Sequence, residues 1–239
     1  MGGWRFRSRC VRGIGAGCSI QARPSSGAGD RVCTVTKSLT ALSALPEASG
    51  VTLSRGTPGV LWAHNDGEPV LVALDGNGTA LGTVAVEGVE LQDWEAIAAG
   101  ACPQGSCLYL ADIGDNNRSR AQIRIYRIPE PQPLDATTGL AESWVGVYPD
   151  GPHDAEALLV SRVTDASTAG EWVSLRTNDE LLFYRLDDLL SGAPPQHRVD
   201  LRGVREAQGE GVALTSEGIV YLVGEGGSGT LASLSCSLR

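Results

Sequence analysis

Glu210-GVALTSEGIVYLVGEGG, close to the C-terminus, is one of four stretches of the chain that share a single pattern. Each begins with a glutamate, passes through a short turn and enters an apolar strand that runs into Asn, Asp or Glu. The others are Glu47-ASGVTLSRGTPGVLWAHND, Glu95-AIAAGACPQGSCLYLADIGDN and Glu156-ALLVSRVTDASTAGEWVSLRTND, and successive glutamates are 48, 61 and 54 residues apart. A repeated strand–turn–strand unit of this length is typical of a β-propeller blade. The pattern predicts an all-β fold, a propeller of about five or six four-stranded blades.

Turn and strand signals inside the units favour the same fold. Val60-LWAHND and Val70-LVALD have the composition of two strands, and the Asp75-GNG that follows them is a strong hairpin signal. In the second unit, the alternation in Gln122-IRIYRI is typical of a half-buried strand. No segment of about 12 residues or more shows helical periodicity. We therefore expect antiparallel blades with few helices.

The composition indicates one globular domain with many turns. Among the 239 residues, 42% are apolar and 20% are charged, which argues against a disordered chain. Residues 1–30 fit none of the repeats, because they are rich in Arg, Gly and Ser and poor in acidic residues. We interpret residues 1–30 as a leader or disordered segment and residues 31–239 as the propeller domain.

The net charge of the chain limits the classes of molecule that it can bind. The net charge of −9, from 19 basic and 28 acidic residues, argues against general nucleic-acid binding, which needs a basic face. No run of about 18 apolar residues exists, so no membrane span is predicted. We expect a monomer that binds a small molecule, a glycan or a protein at the propeller face.

Four of the six cysteines suggest disulfides. Cys102 and Cys107 flank a short turn between two apolar strands, and this spacing allows a bridge across the end of a hairpin. Cys33 and Cys236 lie near the two ends of the domain, which meet in the last blade of a ring. Both pairings favour an oxidising compartment, the cell exterior or envelope. Reduced structural thiols are the alternative, and residues 1–30 lack the apolar core of a secretory signal.

The repeated glutamates predict a site on the propeller axis. The inner strand of each blade runs along the central channel, so equivalent positions of successive repeats become neighbours. Carboxylates brought together raise one another's pKa unless a counter-charge is present, and Ca²⁺ accepts oxygen ligands in loose geometry. We predict that Ca²⁺ is bound here by oxygen ligands from Glu47, Glu95, Glu156, Glu210, Asp112, Asp115 and Asn116. The alternative is that these glutamates accept backbone hydrogen bonds and only space the blades.

Further side chains are predicted to contact a ligand at the channel mouth. Arg118 and Arg176 are candidates to hold an anionic group, because guanidinium groups bind carboxylate and phosphate oxygens well. Asn65, Asp66 and His153 lie next to repeat positions and would line the mouth. The run Asp112-IGDN has three oxygen-bearing side chains in five residues, which suits a ligand-facing loop or only an Asx-turn cluster.

Several signatures, in order, carry a resemblance to a known family. They are LPEASGV, LWAHND, DWEAIA, CLYLADIGDNNRSR, YPDGPHDAEALL, LRTND, QGEGVAL and YLVGEGG, and they extend from about Cys33 to the C-terminus. The chain resembles a family of secreted, mostly actinobacterial propeller proteins of uncertain activity. More distantly it is similar to phytase-like and esterase-like propellers. Compared with the family, this chain lacks one blade of about 40 residues between DAEALL and LRTND. The difference implies a shortened ring or a fusion of two units into one blade.

Two classes of function remain open from the sequence. The first is an exported propeller with an acidic, calcium-binding axial site that acts as a ligand-binding module. The alternative is a calcium-dependent hydrolase of an ester, phosphoester or lactone, in which the metal would polarise the scissile group or activate water. Propellers host both classes, so the fold does not decide whether the protein is an enzyme.

Overall fold

The computed structural model of the protein describes residues 32–158, 160, 172–225 and 228–238. Within these ranges the chain forms 16 strands and one short helix. The predicted leader at residues 1–30 and most of the crossing between DAEALL and LRTND lie outside the described residues. In the described part, no helix has both the length and the apolar character that crossing a bilayer requires.

The strands form four sheets arranged as the blades of a ring. The first blade contains β2 (Ala48–Leu53), β3 (Val60–Asn65), β4 (Val70–Asp75), β5 (Ala80–Glu87) and, parallel to β5, β9 (Thr137–Leu140). The second contains β6 (Trp94–Cys102), β7 (Gly105–Asp112), β8 (Ile123–Pro129) and β10 (Glu142–Gly146). The third contains β11 (Trp172–Arg176), β12 (Glu180–Arg185) and β13 (His197–Asp200), with helix α1 (Leu186–Leu190) between the last two. The fourth contains β14 (Gln208–Leu214), β15 (Ile219–Glu225), β16 (Thr230–Cys236) and β1 (Cys33–Ala41).

The predicted all-β propeller is confirmed, and the described residues form four blades. This number is below the predicted five or six and is covered by the shortened ring that the sequence also predicts. The segment around DAEALL does not add a sheet of its own among the described residues. Instead, Ala155 and Leu158 pack against the small core of Ala96, Ala111 and Ile113 in the second blade.

The Asp75-GNG turn shows how local chemistry forms the hairpins. The Asp75 carboxylate accepts hydrogen bonds from the backbone N–H groups of Asn77 and Thr79, both at 2.8 Å. Gly78 has a φ of 82°, a left-handed conformation that glycine adopts without steric cost. The turn therefore directs β5 back along β4, as the sequence predicts.

The first and last strands close the ring. β1 pairs antiparallel with β16, so the fourth blade combines one strand from the start of the domain with three from its end. Cys33 and Cys236 are opposite each other in this pairing and form a disulfide, with their Cα atoms 4.0 Å apart. Cys102 and Cys107 form the second disulfide in the β6–β7 hairpin, at a Cα separation of 5.8 Å. Both predicted pairings are confirmed.

Buried residues between the blades hold the ring together. The core shared by the first two blades includes Trp62 and Trp94, both fully buried. At its edge, Glu130 follows β8 and reaches the β2–β3 turn of the first blade. Its carboxylate accepts hydrogen bonds from the Trp62 Nε1–H at 3.1 Å and from Ser54, Arg55, Gly56 and Ser106. The first two blades are thus joined by apolar packing and by the several hydrogen bonds that the Glu130 carboxylate accepts.

Candidate axial carboxylate site

Three of the repeated glutamates converge in the structure. Glu95 is the second residue of β6, Glu210 is the third residue of β14, and Glu156 lies in the irregular segment between β10 and β11. One carboxylate oxygen of each lies within 4.8 Å of the corresponding oxygens of the other two. Glu95 and Glu210 are half-buried and Glu156 is exposed. The ring closure thus brings together residues that are up to 115 positions apart in sequence.

The carboxyl groups at this site disfavour one another's ionisation. Burial raises the pKa of Glu95 to about 9, and the negative charges of Glu156 and Asp93 add to the effect. Burial is also the main cause of the raised pKa values of Glu156 and Glu210. Without a counter-charge, the cluster therefore retains protons at a pH where isolated glutamates have lost them.

The donor set fits a hard cation. All three converging groups are carboxylates, and the group includes no His or Cys, so its chemistry suits Ca²⁺ better than Zn²⁺. Oxygens bound to one Ca²⁺ at about 2.4 Å can be up to about 4.8 Å apart. The mutual spacing of the three oxygens is within that limit.

Glu47 is not part of this convergence. Its side chain is exposed, and its backbone N–H donates to Asn65 Oδ1 at 3.1 Å. The first blade presents Ser49 to the site instead, since the Ser49 hydroxyl is 3.0 Å from Glu95 Oε2 and donates to it. In β2, the residue that faces the site is therefore Ser49, two positions after the Glu47 that the alignment of glutamates predicts.

The Asp112-IGDN loop is occupied by its own hydrogen bonds. Asp112 is 1% exposed and accepts from the Asp93 N–H at 2.7 Å and from Arg120 Nη1 at 3.0 Å. Asp115 accepts from the backbone N–H groups of Ser119 and Arg120. These hydrogen bonds tie the loop to Asp93 and to the backbone that follows it. The structure does not bring the carboxylates of Asp112 and Asp115 into the three-glutamate group, and Asn116 is exposed on the turn.

Gly114 in the same loop nonetheless supports the site. A Cβ at this position would lie 2.4 Å from Asp93 Oδ2 and 2.4 Å from Glu95 Oε1. The backbone therefore passes directly against both carboxyl groups, and any larger residue would displace them. The loop shapes the site by close packing, although its own carboxylates face elsewhere.

The predicted ligand-binding side chains are held by other contacts, although Arg176 lies close enough to Glu210 for its charge to offset part of the burial that raises the pKa of Glu210. Arg176 is buried in an ion pair with Glu206 at 2.9 Å, with side chains 4% and 6% exposed. Arg118 is exposed on the turn after Asp115, with a φ of 50°. His153 pairs with Asp150 and lines a small cleft of about 70 Å³ that also includes Arg120 and Tyr148.

Asn65 and Asp66 lie at the end of β3, between the first two blades. Asn65 holds the backbone of Glu47, and the backbone oxygen of Asp66 accepts from the Trp94 N–H at 3.1 Å. The charge of Asp66 contributes, after burial, to the raised pKa of Glu225. Both residues therefore border the acidic region and have roles in holding the inner strands.

Ser49 is the site residue that the search for repeated glutamates misses. The sequence contains a signal for Ser49. When the repeats are aligned on their glycines and not on their glutamates, Ser49-GV matches Glu210-GV. Glu225 at the end of β15 is also missed. Burial and the charges of Asp66, Glu47 and Glu156 raise its pKa, which marks it as part of the same acidic region.

The raised pKa of Glu95 predicts a pH-dependent stability. Between its ordinary pKa of 4.5 and about 9, the folded protein binds more protons than the unfolded chain, so stability falls as pH rises. We expect the Tm in EDTA to decrease from pH 7 to pH 9 and Glu95→Gln to flatten this decrease. Burial lowers the pKa of His64 from 6.5 to about 4, so His64 changes stability between those two values and not between pH 7 and pH 9. Differential scanning fluorimetry measures the effect, and an equal slope in Glu95→Gln would contradict it.

Comparison with known proteins supports the fold. No family model matches the sequence, and no curated protein sequence matches it. Among solved structures, the PQQ-bound aldose sugar dehydrogenase of Streptomyces coelicolor aligns with a TM-score of 0.51 and 12% identity, over 86% of this chain and 98% of its own. The β-propeller domain of Cps50 (Swd1) from Myceliophteria thermophila aligns with a TM-score of only 0.25 and 11% identity, over 80% of this chain and 51% of its own. The likeness to the first structure concerns the β-propeller fold alone, and the second alignment is too weak to add to it.

Proposed function

We propose that the protein is an exported, monomeric β-propeller that binds Ca²⁺ at the axial carboxylate site and acts as a ligand-binding module. The observation that carries the proposal is the convergence of Glu95, Glu156 and Glu210 from separate parts of the ring. A bound cation would replace the protons that these groups otherwise retain. The ligand would be a small molecule, a glycan or a protein segment at the propeller face.

The positions of the arginines favour a binding module over a phosphoester hydrolase. In such a hydrolase an arginine would help the metal to hold the anionic substrate, whereas neutral esters and lactones would not require one. Arg176 is buried against Glu206 and Arg120 against Asp112, so neither guanidinium group is available to a ligand. Arg118 is exposed, but it belongs to the turn beyond the site. A calcium-bound surface that contacts neutral or basic ligands is in better accord with this distribution.

The two disulfides support export. One joins the ends of the domain and the other closes a hairpin, and such bonds form and persist in oxidising compartments. The resemblance to secreted actinobacterial propellers is in accord with this location. We therefore assign the protein to the cell exterior or envelope.

Calcium should stabilise the fold. At a free concentration one hundredfold above its dissociation constant, Ca²⁺ should add about 2.7 kcal/mol to the free energy of unfolding. The Tm should then rise by roughly 5–10 °C for a domain of this size. Calorimetric titration should give one site per chain, and Glu210→Gln should weaken binding.

Glu47→Gln is the matched control, because Glu47 belongs to the same repeat pattern but lies outside the convergence. It should bind Ca²⁺ nearly as the wild type does. A wild-type Tm that is the same in EDTA and in millimolar Ca²⁺ would refute the proposal. Equal weakening by Glu47→Gln and Glu210→Gln would show that only the general acidity of the region attracts the ion.

A further inference from the structure

The inner strands of three blades contact one another through two similar close approaches. A Cβ on Gly50 of β2 would lie 3.1 Å from the backbone nitrogen of Ile97 in β6. A Cβ on Gly211 of β14 would lie 2.9 Å from the backbone nitrogen of Val51 in β2. Each glycine thus faces the backbone of the next inner strand, so Gly50 and Gly211 occupy equivalent positions.

Ser49 is consequently the equivalent of Glu210, because each residue directly precedes its glycine. Glu95 has the same relation to Ala96 and Ile97 in the second blade. The first blade therefore contributes a neutral hydroxyl where β6 and β14 contribute a carboxylate. This places Ser49 within the ring of axial side chains and Glu47 two residues before it.

The contacts of Ser49 connect it to one specific carboxylate. Its Oγ is 3.0 Å from Glu95 Oε2 and 3.3 Å from the Glu95 backbone oxygen. Ser49 is 4% exposed, so water has little access to replace its hydrogen bond. On the opposite side, the backbone of Gly114 packs against Glu95 Oε1. The Glu95 carboxyl group is thus held between a hydroxyl from the first blade and the backbone of the second.

We propose that Ser49 is a positioning residue for the cation site, orienting the Glu95 carboxylate across the boundary between the first two blades. The inference rests on the proposed function, because it assumes that the converging glutamates bind Ca²⁺. Groups that hydrogen-bond to a metal ligand fix its orientation, and their loss commonly weakens metal affinity by about 10- to 100-fold. As a neutral group, Ser49 supplies this orientation without adding a fourth negative charge to the ring.

The test compares Ser49→Ala with Ser233→Ala in the full chain. Ser233 is also buried, 7% exposed, and its hydroxyl is hydrogen-bonded to Thr36 at 2.9 Å in the fourth blade. Both variants lose one buried hydroxyl, but only Ser49 contacts the carboxylate site. Calorimetric titration with CaCl₂ should show a Ca²⁺ affinity about 10- to 100-fold weaker for Ser49→Ala and within about twofold of wild type for Ser233→Ala. The Tm in EDTA reports any general loss of stability separately.

The outcomes separate the two proposals. Wild-type Ca²⁺ affinity in a folded Ser49→Ala would overturn the role of Ser49 and leave the calcium site standing. A wild type that binds no Ca²⁺ would overturn both. If Ser49→Ala does not fold, Ser49→Cys provides a side chain of similar shape with a weak donor. A Ca²⁺ affinity for Ser49→Cys below that of wild type supports the positioning role, and an unchanged affinity overturns it.

Discussion

Replacing both Cys33 and Cys236 by serine is expected to lower the free energy of unfolding by about 5 kcal/mol, the largest effect predicted for this protein. The disulfide joins positions separated by 203 residues, so it restricts nearly the whole unfolded chain. It also secures β1, whose pairing with β16 completes the fourth blade. Urea unfolding followed by circular dichroism should show the loss as a lower midpoint.

The second disulfide is the matched control. Cys102 and Cys107 are only 5 residues apart, so the same entropy argument assigns their bond about 2 kcal/mol. The double serine variant of this pair should therefore unfold at a midpoint between those of the wild type and of the variant without the ring-closing disulfide. Equal losses for the two variants would contradict the explanation by loop length.

Replacing Asp112 by alanine is expected to cost about 3–5 kcal/mol of stability. Asp112 and Arg120 form an ion pair at 3.0 Å, with side chains 1% and 7% exposed. Removing the carboxylate would leave a buried guanidinium without its counter-charge and the Asp93 N–H without its acceptor. Most of the loss should appear already in EDTA, because Asp112 is outside the three converging carboxylates.

An exposed pair on the third blade gives the comparison. Arg198 and Glu180 are also 3.0 Å apart, but their side chains are 56% and 43% exposed. Exposed pairs contribute at most about 1 kcal/mol, so Glu180→Ala should have a small effect. A loss for Asp112→Ala that appears only in the presence of Ca²⁺ would restore Asp112 to the set of calcium ligands.

The turns, strands and disulfides follow from local sequence because their causes are local or topological. The Asp75-GNG turn is formed by hydrogen bonds within five residues. The pairing of Cys33 with Cys236 follows once the chain forms a ring, since its ends must then meet in one blade. The number of blades is different, because it depends on how the sheets pack around the axis. The repeats alone therefore allowed five or six blades, shortened by one, and the part of the chain that the structure describes forms four.

For the candidate site, the sequence by itself determined that a glutamate recurs at one point of each repeat, and so predicted that acidic groups meet near the axis. Of these glutamates, Glu95 and Glu210 lie on inner strands. Which first-blade residue joins them was decided only by tertiary structure. An ideal strand alternates its side chains between two faces with a period of two. Here Glu47 precedes β2 and a register shift lies between Ala48 and Gly50, so the local pattern cannot choose between Glu47 and Ser49. The close approach of Gly50 to the second blade fixes the register and selects Ser49. In the same way, the Asp112 carboxylate faces Arg120 because the folded loop brings that guanidinium into a buried position beside it.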